Sequence, residues 1–368
     1  MPKQKKASRK PRPRAGMNPT RAPKWWLTRP AEIRAYLESL KGVEVEEIGK
    51  TAGGRTLIAA SYGPREKIVG RTSESLASCM GAGAPEAFFG TKERKRQVLC
   101  FVGAAHGCEF EGTVAALNYL NVLVTGRDLR GRRFPRLQEA GRKQRFLIIP
   151  IFNLDGRERF LDHVHFINCG IDYYYMICQG RWKETGEVLH WPVPKRYFPM
   201  PLDKLEILGS YFNDAGVNLV YDTPFGGDCQ PETTALMRYL RREVPDCVIL
   251  SHSNGGSLVT GGSSNIPPAY KAREMAFAAA VSMGCLRRGL RKTGGPLGPN
   301  FAAGGEFYQS DAVYHVSGAL PVLIEFPWGY ENVPDNFDEI LDIGLAVLED
   351  VITFGNRYRY RPPLPARR

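Results

Sequence analysis

The chain reads as an α/β protein, a mostly parallel sheet covered by helices on both faces. Four short apolar runs, around Leu99, Ile148, Ile249 and Leu323, are bounded by charge, glycine or polar residues, as strands buried on both faces are. Helical patterns lie between them, and strands that alternate with helices assemble into a parallel sheet between helical layers. A length of 368 residues, 43% of them hydrophobic and 24% charged, is enough to fill such a core.

In chain order, Pro30 opens a helix with Thr28 as candidate cap; it runs through Tyr36, Leu37 and Leu40 and stops near Gly42. Val43 to Ile48 alternates apolar and acidic residues, Thr51 to Gly54 is a turn, and Leu57 to Tyr62 returns, so a hairpin is expected. Residues 71–94 form a poorly patterned insertion. The buried strands are predicted at Val98–Gly103, Phe146–Ile151, Cys247–Ser251 and Pro321–Phe326. Helices are predicted at Phe110–Leu123, Glu232–Arg242, Ala269–Met283 and Phe337–Phe354. There is no internal repeat.

The net charge of +12 sits in the tails. Residues 1–24 hold nine Lys/Arg and no acid, and Arg357, Arg359, Arg361, Arg367 and Arg368 add five more. The domain between them, 25–356, is close to neutral. The N-terminal segment 1–24 is read as a disordered basic tail and 357–368 as a basic C-terminal tail. No aromatic residue interleaves with the charges before Trp25, which argues against nucleic acid as a partner. No apolar run reaches the roughly 18 residues of a membrane span, and the charged start leads into prolines rather than a signal-type apolar segment. The eight cysteines lack paired spacing, so a reducing compartment, the cytoplasm, is expected.

Three of the four strands run out into groups that bind metals or move protons. The first gives His106-Gly107-Cys108-Glu109, the third His252-Ser253-Asn254, and the fourth carries Glu325. In open α/β sheets the site lies at the carboxyl ends of the strands. His106 and Glu109, at i and i+3, share a face of a helical turn. With one more imidazole they would make a two-histidine, one-glutamate zinc site with an open fourth position for water.

These segments resemble the M14 metallocarboxypeptidase family. Besides the His-x-x-Glu motif, Gly49-Lys50-Thr51-Ala52-Gly53-Gly54-Arg55 is similar to that family's early hairpin, and Asn153-Leu154-Asp155-Gly156 to its Asn-Pro-Asp-Gly segment. Gly216-Val217-Asn218-Leu219 is similar to its Gly-Val-Asp-Leu stretch, Leu250-Ser251-His252-Ser253 to the strand of the third ligand, and Leu323-Ile324-Glu325 to that of the catalytic glutamate. The order is the family's, over roughly residues 26–356. The resemblance implies a three-layer α/β/α sandwich around a twisted, mixed, mostly parallel sheet. It implies one zinc ion on His106, Glu109 and His252, and Glu325 as the base that activates water. It also implies a cation for the oxyanion; Arg181 is preferred over Lys183 because a planar donor fork suits an oxyanion better than a flexible ammonium.

Three departures bear on substrate. Val220-Tyr221 stands where the family has the Asn-Arg pair that grips a terminal carboxylate, and neither side chain can make a charge-assisted bond to one. Asn218 replaces the aspartate that orients the first zinc histidine, which predicts weaker metal affinity. The stretch expected to hold the lid tyrosine has none; Tyr308 is the nearest candidate. Lys183, Asn218, Tyr221, Ser253 and Tyr308 are therefore candidate substrate-binding residues, and the substrate is read as a peptide or an N-acyl amino acid. The competing readings are an amidase or deacylase on a modified amino acid or cell-wall-type peptide, and a non-catalytic binding protein of the same fold. Another cation could replace the lost arginine, among them Arg157, Arg159, Lys195 and Arg196.

Overall fold

The four apolar runs lie side by side in parallel at the centre of one sheet. The computed structural model describes residues 22–66, 95–160, 171–224, 227–254, 259–261, 263–290, 307–327 and 337–362. Helix α1 (Pro30–Ser39) leads into the hairpin β1 (Val43–Lys50) and β2 (Thr56–Tyr62). Then come β3 (Val98–Val102), α2 (Glu111–Thr125), α3 (Pro135–Gly141), β4 (Arg145–Ile149), α4 (Leu154–Glu158) and α5 (Ile171–Cys178). A two-stranded ribbon, β5 (Gly180–Trp182) and β6 (Leu205–Leu208), precedes α6 (Pro231–Glu243) and β7 (Cys247–Asn254). The chain closes with β8 (Val259–Gly261), α7 (Pro268–Arg287), α8 (Gln309–Ser317), β9 (Leu320–Pro327) and α9 (Phe337–Tyr358).

The seven-stranded sheet has the order β1-β2-β4-β3-β7-β9-β8. Pairing is parallel from β4 through β3 and β7 to β9, and antiparallel at the outer strands. The sheet is therefore mixed with a parallel centre. Successive side chains of a strand face opposite ways, and both faces are buried. Leu99, Phe101, Ile148, Ile249, Val322 and Ile324 pack under α1, α2, α7 and α9. Cys100, Val102, Leu147, Ile149, Val248 and Leu250 pack against α6 and α8. That gives three layers, as expected. Helices α2 and α9 approach closely because Gly344 lies over Ala115, where a Cβ would stand 2.4 Å from the alanine methyl.

Several local expectations differ. Thr28 does not cap α1. Arg29 occupies the cap position without a side-chain bond, and Pro30 starts the helix. Thr28 is instead buried as an acceptor for Arg157, whose Nε donates to its carbonyl at 3.0 Å. The expected domain boundary at residue 356 falls inside α9; Tyr360 beyond it is fully buried and donates to Gln144 Oε1 at 2.9 Å. At the other end Ala22 already packs on a cluster with Trp26, Phe110 and Phe337. Residues 1–21, the insertion 71–94, Cys79, Cys169, His163 and His165 lie outside the described residues. Among the described residues no helix is long and apolar enough to cross a membrane.

Candidate metal centre

The loop after β3 is held in shape by its neighbours before any metal is considered. Gly103 N donates to Ile149 O, Phe152 N to Gly103 O, and Asn153 N to Ala104 O, so the loop is sewn to the one after β4. Ala104 adopts φ 46°, a left-handed conformation costly for a residue with a Cβ. At Gly107 the chain passes so close to the next loop that a Cβ would lie 2.3 Å from Arg157 N. Only glycine fits between His106 and Cys108.

This framework brings the three expected ligands together. His106 Nδ1 lies 3.0 Å from Glu109 Oε2, and His252 Nδ1 lies 2.9 Å from the same oxygen. One potential ligand atom from each residue falls within 4.8 Å of the others, and all three residues are buried. On the far side of its ring His106 Nε2 stands 3.3 Å from Asn218 Oδ1. A proton on Nε2 then donates to Asn218 and leaves the Nδ1 lone pair facing Glu109. That is the tautomer a metal requires of a histidine ligand. The donor set, two imidazoles and one carboxylate, suits zinc. Tyr211 stacks flat on His106, with ring centres 3.6 Å apart and planes 3° from parallel, and fixes its rotation. Asn153 holds Tyr211 in turn, donating through Nδ2 to the Ser210 and Tyr211 carbonyls.

Electrostatics follow from burial. Burial alone would raise the Glu109 carboxyl, but His106 and His252 override it and hold it below the ordinary carboxylate range. Burial lowers the His106 imidazole despite Glu109. For His252 burial also lowers, but its hydrogen bond to the Glu109 carboxylate wins and the net shift is upward. Glu325 sits on β9 directly beside His252 on β7. Burial, reinforced by the charge of Glu109, pushes its carboxyl up to about 7 against the opposing pull of His252 and Asn254. A carboxylate poised near neutrality beside a candidate metal site suits a general base.

The other predicted residues scatter. Arg181 lies on the β5–β6 ribbon, its guanidinium 2.8 Å from Glu206 Oε1. Lys183 is exposed in the turn that follows. Ser253 is buried beside the Glu111 carboxyl, which burial pushes up to about 7. Tyr221 and Tyr308 meet, with ring centres 5.7 Å apart, and Tyr308 stands at the start of α8. Tyr221 lines a pocket of about 190 Å³ that includes Asn218, Gln179, Trp191 and Lys195. His190 lies 3.4 Å from Asp172 and His315 Nε2 is 2.7 Å from the Asn265 carbonyl, both away from the three ligands.

Tyr211, Cys108 and Cys178 were not foreseen. The two sulfurs lie 3.2 Å apart in a buried cluster behind the ligand loop. No spacing in the sequence announces either contact, since the stacking and thiol partners come from distant segments.

Residues 33–184 match the family model for zinc carboxypeptidases, the M14 peptidases. Over those residues the chain is similar to the M14 zinc carboxypeptidases. The matched span holds His106 and Glu109, and the sheet supplies His252 and Glu325 from beyond it. Solved structures agree on the fold. A metallo-carboxypeptidase from Burkholderia cenocepacia superposes with a TM-score of 0.55 at 16% identity, over 89% of this chain and 68% of that one. Carboxypeptidase A from Helicoverpa armigera gives 0.51 at 16% identity, over 90% and 71%. A Pseudomonas aeruginosa metallo-carboxypeptidase, solved with (2-guanidinoethylmercapto)succinic acid, gives 0.52 at 14% identity, over 90% and 68%. No curated protein matches the chain in sequence. The match indicates a zinc metallopeptidase, a hydrolase of peptide bonds.

Proposed function

We propose that one zinc ion is held by His106, Glu109 and His252, and that Glu325 drives hydrolysis of an amide bond next to it. The observation that carries this reading is the convergence of two imidazole Nδ1 atoms on one Glu109 oxygen, with Glu325 one strand away. When bound, zinc would supply Lewis acidity, making a water more acidic and polarising a carbonyl. Glu325 accepts the proton of the attacking water and returns it to the leaving amine. Asn218 and Tyr211 keep His106 in the ligand tautomer and orientation. A role for Arg181 at the oxyanion requires it to leave Glu206, so the proposal rests on the four residues above.

The test is Glu325→Gln, assayed on short peptides and on N-acyl amino acids. Turnover should fall by about 10³-fold or more, with one equivalent of zinc still present by elemental analysis. Full activity in that variant would overturn the base assignment. Val220-Tyr221, in place of Asn-Arg, favours a second reading, an amidase indifferent to a free carboxylate. Equal rates on free and blocked C-termini would select it.

A further inference from the structure

We propose that Lys195 grips the substrate's carboxylate, replacing the arginine that the family resemblance expects at Tyr221, and that the anchored residue carries an aromatic or bulky apolar side chain. The proposal rests on the metal-centre reading above and names the substrate class for it.

The other cations considered are committed elsewhere. Arg157 is fully buried, bonded to Thr28 and stacked 4.7 Å over Phe110. Arg159 donates to the Gly209 and Phe212 carbonyls and pairs with Asp214. Arg196 is exposed and does not line the pocket. Lys195 does line it. Among the described residues its ammonium meets aromatic faces, 4.4 Å from the Trp191 ring centre and 5.5 Å from that of Tyr221. Ring faces attract an ammonium and hold it in place, yet they accept no conventional hydrogen bond from it. Its three N–H donors remain available to an anion.

Position makes that availability useful. The pocket reaches Asn218, and Asn218 bonds the back of His106. A group held there lies one side chain from a metal ligand. The second wall residue, Tyr221, is the position at which the resemblance expects the carboxylate-gripping arginine. The charge has moved from that position to a separate segment, Val193–Arg196, and still meets Tyr221 in space. The remaining walls are Pro194, Tyr197, Phe198 and Phe212. Trp191 is 45% and Phe198 56% exposed, a large apolar rim that a ligand would cover. A volume of about 190 Å³ is below the usual range for a drug-sized ligand and suits a single residue. Aromatic walls, one cation and the Gln179 amide select an apolar side chain with one carboxylate beside its amide. A C-terminal aromatic residue and an N-acyl aromatic amino acid share that chemistry.

The experiment is calorimetric titration of the zinc-loaded Glu325→Gln protein with N-acetyl-phenylalanine, its primary amide and N-acetyl-glycine. No turnover is needed, so this result is separate from the fate of the Glu325 assignment. The acid should bind roughly ten-fold or more tighter than the amide, the range of one charge-assisted bond, and tighter than the glycine analogue. Adding Lys195→Met should bring acid and amide to parity; Lys195→Arg should restore part of the preference. Arg196→Ala, the neighbouring exposed cation, should leave it intact. Equal binding of acid and amide, a preference that survives Lys195→Met, or no binding of either at millimolar concentration would each overturn the proposal. The peptide and N-acyl sources are then separated by comparing the acid with Ala-Ala-Phe and with Ala-Ala-Phe-amide.

Discussion

Glu109 Oε2 faces two imidazoles at 3.0 and 2.9 Å, and that shared oxygen marks the centre of the site. Directly behind it lies the pair Cys108 and Cys178, their sulfurs 3.2 Å apart. Burial pushes the Cys178 thiol well above its ordinary range, so thiolate chemistry there is slow. The sulfurs are nevertheless closer than ordinary non-bonded contact. Hydrogen peroxide, taking up the two electrons and two protons that the thiols lose, should join them in preference to the other described cysteines. Peptide mapping after mild oxidation should find a 108–178 link; a link between any other pair, or none, would refute the expectation. At this scale the sequence was legible where chemistry is local. The convergence of His106, Glu109 and His252, with Glu325 beside His252, could be read because each ends a strand or the loop that follows it. Tyr211 on His106 and Cys178 beside Cys108 could not, because stacking and thiol contacts between distant segments leave no pattern in either segment.

Two motifs noticed separately turn out to be one structural unit. The early hairpin supplies Gly53 N, 2.9 Å from Asp155 Oδ2, and Arg55 Nη1, 2.7 Å from Asp155 Oδ1. Asp214 N donates to the same carboxylate at 3.0 Å. Asp155 has a fully buried side chain, so removing it strands two backbone N–H donors and takes away one of the two carboxylates that Arg55 meets. Asp155→Ala should cost about 2–4 kcal/mol in urea unfolding. Asp214→Ala, whose side chain is a third exposed, should cost under about 1 kcal/mol; similar losses in both would refute the assignment of the buried carboxylate as the hub. Helices α2, α6, α7 and α9 and the buried strands were legible from their apolar period. The β5–β6 ribbon and α8 were not. The ribbon is short and pairs outside the main sheet, and α8 follows a span without pattern.

The pH dependence of stability belongs to the whole molecule, since its two sides come from different regions. Asp155 is held below its ordinary range: burial would raise it, but its hydrogen bonds with Thr51, Asp214, Gly53 and Arg55 prevail. Its contribution is present above the unfolded pKa and is lost as pH falls through the lower folded value. Glu274 on α7 behaves oppositely. Burial, with Asp311 adding to it, pushes its carboxyl from 4.5 up to about 8, against the Ser263 N–H and Lys271. Between those values the folded chain holds a proton that the unfolded chain releases, so stability falls as pH rises. Glu274→Gln cannot ionise and should unfold at higher urea than the parent at pH 8, with little difference at pH 5. A constant gap between the two proteins across that range would exclude Glu274 as the source.

The parallel pairing at the sheet centre also sets an order of events in synthesis. Leu99 pairs with Cys247, and His252 with Glu325, so apart from the local His106–Glu109 contact the site is built by joining segments far apart in the chain. Closing such loops costs entropy before pairing returns anything. A chain still on the ribosome and halted before Leu320 already carries the three proposed ligand residues, but not the strand that flanks His252 and brings Glu325. On the proposed mechanism the base arrives only with β9, the last of the described strands to be made, and a partly made chain that holds the three proposed ligands has no Glu325 with which to activate water.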